Sequence, residues 1–412
     1  MTTALPAAQL LRSLAGTLRQ LERVVVWALL LVTPRRRHLV ISGFPDTEGN
    51  AIEMLRACIP RYRGPIYLLV VDIEVARRVL SVAQVGDLSK VVILPRRSLR
   101  AIGRFATAEV VMFTHGLYGN PPRTARKTLV NLWHGGGIKG NLMEDVRGRP
   151  TIHSDYLVAA TSRQGEILAR ECRLPAGGLL LTGNPRVDQF GTIEKTGLED
   201  LGIDAGRPFV LWMPTFRKNA GHGLTVGWTE SQGATAEVDA MAATVVEGLV
   251  HAGIQVIVKP HPSDAEHHAV NGAIIVTDRV LLSGGILLYQ LIGASSGLLT
   301  DYSSVWIDYL TLDRPIAFLV PDADSYADGR GFNPPDALEW LPGPRIETTQ
   351  DVANFAEDVK AGGSLTAARR GEVAAHIGLA TARPVAEGIL DELESRRVFS
   401  GGLLPSEAKA GV

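Results

Sequence analysis

Cysteine is almost missing: the 412 residues contain two, Cys58 and Cys172, far apart in the chain. No disulfide framework and no paired-cysteine metal site can be built from them, and a reducing, intracellular compartment is the default expectation. An excess of one charge is missing too. Lys and Arg number 42 against 43 Asp and Glu, a formal net charge of -1, so the molecule has no overall field that would gather nucleic acid. No apolar run reaches the ~20 residues of a spanning helix. The run Val24–Val32 falls well short and is followed by Thr33-Pro-Arg-Arg-Arg37 with no small-residue cleavage site, which argues against a secretory signal. P-loop, GxSxG and zincin motifs are lacking, and Gly135-Gly-Gly137 lacks the phasing of a dinucleotide fingerprint. No carboxylate cluster offers a metal cage. The expectation is therefore no cofactor, no obligate metal and no nucleic-acid partner.

What is present is a globular composition, 46% hydrophobic and 21% charged, in a chain long enough for two domains. Leu10, Leu11, Leu14, Leu18 and Leu21 recur at roughly helical spacing, with Arg12, Arg19, Glu22 and Arg23 between them. Two readings of this stretch stand open. One is a helix packed on its own domain. The other is a helix lying in the lipid headgroup layer, with Trp27 at the interface and Arg35, Arg36 and Arg37 on anionic lipid.

From His38 onward, short β-rich runs at His38–Phe44, Pro65–Asp72, Lys90–Pro95, Glu109–His115, Leu129–His134, Asp155–Thr161 and Leu179–Thr182 alternate with helical stretches such as Thr47–Ile59, Ile73–Ala83 and Ser162–Cys172. That alternation predicts a parallel sheet. After a polar stretch near Gly191–Arg207 a second series follows, with strands at Phe209–Met213, Gln255–Lys259, Ala273–Val276, Gly297–Thr300 and Ile316–Val320, and helices at Ala236–Ala252, Ser304–Leu312 and Asp351–Ala361. The expected organisation is an α/β chain of two Rossmann-like domains facing across a cleft. Residues 1–37 form an amphipathic helix and basic linker, 38–190 the first domain, 191–375 the second, and 376–412 a helix crossing back to the first domain, then a frayed tail.

Ligands of open α/β sheets bind at the carboxyl ends of strands, so polar residues just past strands are the site candidates. In Asn131-Leu-Trp-His-Gly-Gly-Gly-Ile-Lys139 a strand ends in His134, a candidate base, and Gly135 and Gly136 let the backbone approach a ligand. A local hydrogen-bonding role for the histidine is the plainer alternative. In Val256-Ile-Val-Lys-Pro-His-Pro262, Lys259 and His261 at one strand end suit a phosphate, against a solvated strand end. In Gly297-Leu-Leu-Thr-Asp-Tyr-Ser-Ser-Val305, Asp301 ends a buried strand and Ser303 or Ser304 opens a helix, either as a simple cap or as part of an anion site. Thr215 and Arg217 end another strand and could reach a nucleotide. In Gly183-Asn-Pro-Arg-Val-Asp188, an ordinary structural pair of Arg186 with Asp188 is the expectation.

Taken in order, Trp133–Lys139, Gly183–Asp188, Met213–Arg217, Pro260–Pro262, Thr300–Ser304 and Asp328-Gly-Arg-Gly-Phe332 resemble the strand-end motifs of the CDP-glycerol glycerophosphotransferase family, the teichoic-acid primases and polymerases. Gly136 and Gly137 stand where that family has Thr-Pro, and Asn184 and Val187 where it has Tyr and Asn. The resemblance implies a GT-B-like fold and peripheral attachment to the cytoplasmic face of the membrane. It implies transfer of glycerol phosphate from CDP-glycerol, or a related CDP-alditol, to a lipid-linked or polymeric acceptor with release of CMP. Carried over residue by residue, His134 would be the base, and His261, Ser303 and Ser304 would hold the donor pyrophosphate. Thr215, Arg217, Lys259, Asp301 and Arg330 would line the donor side. Two alternatives keep the fold: a glycosyltransferase using a nucleotide sugar, and a non-catalytic nucleotide-binding protein at the membrane.

Overall fold

The structure, a computed structural model, describes residues 21–135, 150–191, 193–215, 232–260, 270–329 and 331–406. The expected site residues Gly136, Arg217, His261 and Arg330 lie outside these, as do the leucines from Leu10 to Leu18 and the end of the tail.

The first unit begins with helix α1, described over 21–32. It continues β1 (Arg36–Ser42), α2 (Gly49–Arg61), β2 (Ile66–Val70), α3 (Ile73–Val82), β3 (Val91–Pro95), α4 (Leu99–Thr107), β4 (Ala108–Phe113), β5 (Thr128–Asn131), β6 (Tyr156–Ala159), α5 (Ser162–Glu171) and β7 (Leu179–Leu181). A 3₁₀ turn (Pro185–Gln189) leads out of it. The second unit is α6 (Lys195–Asp200), β8 (Phe209–Met213), α7 (Gln232–His251), β9 (Gln255–Val258), β10 (Ala273–Ile275), α8 (Asp278–Ser283), α9 (Leu288–Ala294), β11 (Gly297–Thr300), α10 (Val305–Leu310), β12 (Ile316–Phe318), α11 (Ala323–Gly329) and α12 (Thr349–Lys360), followed by α13 (Ala367–Ile377) and α14 (Val385–Ser395).

Seven strands form the first sheet in the order β3-β2-β1-β4-β5-β6-β7, and five form the second as β10-β9-β8-β11-β12. Every pairing between these strands is parallel. The two-Rossmann-like architecture expected from the alternating pattern is thus the one observed. Each sheet reverses strand order once, between β1 and β4 and between β8 and β11. Loops diverge there and leave a crevice at the strand ends.

Local chemistry explains the elements. The strands are nearly continuous apolar runs because helices cover both faces of a parallel sheet; β2 and β4 are buried throughout. Helix α3 starts where Asp72 accepts hydrogen bonds from the Glu74 and Val75 amides, and it turns Ala76, Val79 and Leu80 inward at helical spacing. Helix α12 opens with a capping box of Thr348 and Asp351. Helix α4 is not among the expected helices. It has nine residues; Ala101, Phe105 and Ala106 are buried, while Leu99 and Arg100 are exposed.

In α1, Val26 and Leu30 are buried in the same apolar cluster as Val40, Leu69 and Phe105. The helix therefore packs on its own domain, while Leu21, Val24, Val25, Trp27, Leu31 and Val32 remain exposed. At the other end of the chain, α14 lies against α2. The buried Arg61 guanidinium makes ion pairs with Glu387 (2.7 Å), Asp391 (2.9 Å) and Glu394 (3.1 Å), and Arg61 Nε donates to the Leu404 carbonyl. Removing this cation would leave three carboxylates facing one another. Arg61→Ala should lower the unfolding free energy by about 2–3 kcal/mol in urea denaturation; an unchanged midpoint would mean that α14 docks through its apolar face alone.

Candidate functional site

The strands β4 and β5 end earlier than the sequence suggests, at Phe113 and Asn131, so His115 and His134 sit in loops just past them. The reason is local. Trp133 takes a left-handed backbone (φ 53°), and its amide donates to Asn131 Oδ1 at 2.9 Å, which breaks the extended geometry. Two outside groups hold the turn: Asn50 Nδ2 donates to the Trp133 carbonyl (2.9 Å) and Arg186 Nη1 donates to the His134 carbonyl (2.8 Å).

His134 stacks on His115 with ring centroids 3.7 Å apart and planes 18° from parallel. His134 Nδ1 lies 3.1 Å from the Thr114 carbonyl, which can only accept. Nδ1 therefore carries the proton, and Nε2 is the basic nitrogen of the neutral ring. Thr114 Oγ1 accepts from the Phe44 amide (3.3 Å) and shares a hydrogen bond with His115 Nδ1 (3.1 Å). Burial, then the neighbouring His134 and Arg96, push the His115 imidazole down to about 3, so the stack carries a neutral His115 at physiological pH. Sequence reasoning missed this residue as a site member, although a second strand ending in histidine beside the first was the available signal.

On the facing unit, Asp301 joins the two loops at the switch point of the second sheet. Its carboxylate accepts from the Thr215 amide (2.9 and 3.1 Å), from Thr215 Oγ1 (2.9 Å) and from the Ser303 amide (3.2 Å). Asp301 is thus engaged in fixing Thr215 and the Ser303 turn. Ser304 occupies the N-cap position of α10 without a side-chain cap bond, and Ser303 Oγ meets the Val305 amide only at 3.5 Å. Capping does not account for the Ser304 hydroxyl. Lys259 is buried and donates to Asp278 (3.1 Å) and to the Pro260 carbonyl (3.1 Å).

The two halves meet here. A methyl group placed on Gly135 would lie 3.3 Å from Ser304 Oγ. The loop carrying His134 therefore abuts the turn carrying Ser303 and Ser304, and a side chain at position 135 would press on the Ser304 hydroxyl. The structure brings His134, Gly135, Thr215, Asp301, Ser303 and Ser304 into one region between the strand ends of both sheets.

The expected pair of Arg186 with Asp188 is not formed. Asp188 accepts from the Val385 and Ala386 amides (both 2.8 Å) and so caps α14. Arg186 reaches instead to Asp308 of α10, with Nε at 2.8 Å and Nη2 at 2.7 Å. The tertiary fold brings a carboxylate 122 residues away within reach, and α14 needs an acceptor at its N-terminus. Beside this pair, Glu48 is buried with Oε1 unpartnered and 4.0 Å from Arg186 Nη1, and burial pushes its carboxyl up to about 7. Among the described residues no group of three or more His, Cys, Asp or Glu is arranged to hold a metal ion.

The neutral His115 makes a testable contribution to stability. Between about 3 and 6.5 the unfolded chain takes up a proton that the folded ring refuses, so stability is full above 6.5 and falls as pH drops. His115→Phe keeps an aromatic face against His134 without that titration. From pH 6.5 to 4.5 the wild type should lose about 2–3 kcal/mol relative to the variant in urea denaturation; parallel pH curves would refute a neutral buried ring.

Residues 74–377 match the family model for CDP-Glycerol:Poly(glycerophosphate) glycerophosphotransferase. The teichoic acid ribitol-phosphate primase of Bacillus spizizenii is 26% identical over 258 residues, 58% of this chain and 62% of that protein. The teichoic acid poly(glycerol phosphate) polymerase of the same organism is 26% identical over 363 residues, 82% of this chain and 87% of that protein. Among solved structures, the wall teichoic acid polymerase TagF superposes with a TM-score of 0.66 at 16% identity, covering 97% of this chain and 100% of that one. The S. aureus MnaA–UDP co-structure superposes with a TM-score of 0.52 at 11% identity, covering 88% and 97%. The fold is thus GT-B-like, and the match over most of its length makes the chain an enzyme of the CDP-glycerol:poly(glycerophosphate) glycerophosphotransferase family.

Proposed function

We propose that the protein transfers glycerol phosphate from CDP-glycerol, or a closely related CDP-alditol, to a hydroxyl group of a lipid-linked or polymeric cell-wall acceptor. The acceptor oxygen attacks the β-phosphorus, its proton passes to His134 Nε2, the bond from that phosphorus to the bridging oxygen breaks, and CMP leaves. Ser303 and Ser304, with His261, hold the pyrophosphate while negative charge shifts toward CMP. Thr215, Lys259 and Asp301, with Arg217 and Arg330, belong to the donor side, where Asp301 and Lys259 act by shaping the loops. Gly135 and Gly136 keep the first loop thin enough for the substrate to pass.

The observation that carries this reading is the contact between units. The loop that carries the candidate base His134 lies against Ser304 of the other unit at Gly135, and Ser304 makes no side-chain cap bond. In-line displacement needs that arrangement, a base on the attacking side and charge stabilisation on the other. Curated relatives named as primases and polymerases of teichoic acid agree with the substrate class.

The exposed apolar face of α1 continues into Arg36 and Arg37, also exposed. We read it as a peripheral contact with anionic lipid on the cytoplasmic face, where a lipid-linked acceptor would be met. Among the described residues no helix is long and apolar enough to cross a membrane.

Two measurements test these assignments. His134→Ala should reduce CMP release from CDP-glycerol by ~10²–10⁴-fold while calorimetry still detects donor binding. Near-normal turnover would reject the base, and release of a nucleoside diphosphate from a nucleotide sugar, with CDP-glycerol inert, would reject the donor. Trp27→Ser with Leu31→Ser should weaken flotation with vesicles containing anionic phospholipid and spare flotation-independent turnover of a soluble acceptor; equal flotation of variant and wild type would exclude α1 as the contact.

A further inference from the structure

We propose that Arg186 is a positioning residue: fixed by its guanidinium to Asp308 of α10, it holds the His134 carbonyl and so sets the spacing between the histidine loop of the first unit and the Ser303–Ser304 turn of the second. The kinetic part of this inference rests on the phosphotransfer reading above; the structural part does not.

The geometry uses the whole fork of the guanidinium. Nε and Nη2 lie 2.8 and 2.7 Å from Asp308 Oδ2, and Nη1 donates to the His134 carbonyl at 2.8 Å. One planar group therefore joins the two halves, which a lysine, a single point donor, cannot imitate. Asp308 is held in turn by Asn184 Nδ2 on Oδ1 (2.7 Å) and by the Tyr289 hydroxyl on Oδ2 (2.6 Å), and the guanidinium lies over the Tyr289 ring. Asp308 stands one helical turn beyond Ser304, so whatever fixes its carboxylate fixes the start of α10.

A second arm supports the same loop. Asn50 Oδ1 accepts from the Arg186 amide (3.0 Å) while Asn50 Nδ2 donates to the Trp133 carbonyl (2.9 Å). Two consecutive carbonyls, of Trp133 and His134, thus each accept from a side-chain donor. A non-glycine residue at φ 53° persists only where its surroundings over-determine it, and this double grip does so.

The test separates structure from positioning. Arg186→Met alone leaves Asp308 buried without its cation and should lower Tm. The double variant Arg186→Met, Asp308→Asn removes both charges, and the new amide can accept from Asn184 and donate to the Tyr289 hydroxyl, so Tm should recover. The His134 carbonyl still lacks its donor. In that double variant kcat for CMP release should stay down by about 10²-fold with the KM for CDP-glycerol within a few fold, because a misplacement of about 1 Å costs that much. Recovery of kcat together with Tm would overturn the proposal. A readout without catalysis accompanies it. Gly135→Cys with Ser304→Cys places two thiols at the contact, while the native Cys58 and Cys172 are buried. Disulfide formation under oxidised glutathione should be rapid in this background and at least about tenfold slower once the Arg186→Met and Asp308→Asn changes are added. An equal trapping rate would overturn the proposal even if the protein turns over no CDP-glycerol, and an inert wild type with normal trapping would refute the donor assignment instead.

Discussion

The buried ion pair of Arg186 and Asp308 is the contact on which the relation between the two sheets turns. Each charge is removed from water, which is costly, and further hydrogen bonds offset the cost: Asn184 and Tyr289 on the carboxylate, the His134 carbonyl on the guanidinium. Such a network is stable in one geometry and poor in neighbouring ones. It converts a junction between two domains, by default a mobile place, into a defined distance.

Neither sheet alone carries all the polar groups that meet at that junction. The first supplies a stacked pair of imidazoles just past β4 and β5. The second supplies an Asp301 carboxylate that spends its acceptors on shaping two loops, leaving the Ser303 and Ser304 hydroxyls at the boundary. Both sets sit where the strand order reverses, which is where parallel sheets open a crevice. The shape persists in TagF at 16% identity, so the packing of apolar strands under helices tolerates wide substitution while the strand ends stay in place.

Much of this was legible in the chain. The β-rich runs between amphipathic helices marked every described strand, because strands buried on both faces are apolar nearly throughout. The motifs around His134, Thr215 and Asp301 were visible because polar residues directly after such runs stand out. Less legible were the short helices such as α4, which has only nine residues. The role of His115 was hidden as well, since a histidine ending one strand does not announce the ring it will stack on. The Arg186–Asp188 expectation failed for the same reason: proximity in sequence suggested a pair, while one residue was needed at a helix N-terminus and the other across the domain junction.

The sequence by itself determined the class of fold, two parallel α/β units, and the positions at which each strand would present polar groups, because periodicity and strand-end chemistry are local properties. It also carried the ordered motifs whose resemblance pointed to the family that the chain matches. Only the tertiary structure decided which of those groups meet: that Gly135 lies against Ser304, that two histidines stack, and that Arg186 answers Asp308 across the junction. Those are contacts between residues scores of positions apart, and burial in a common core, not adjacency in the chain, selects them.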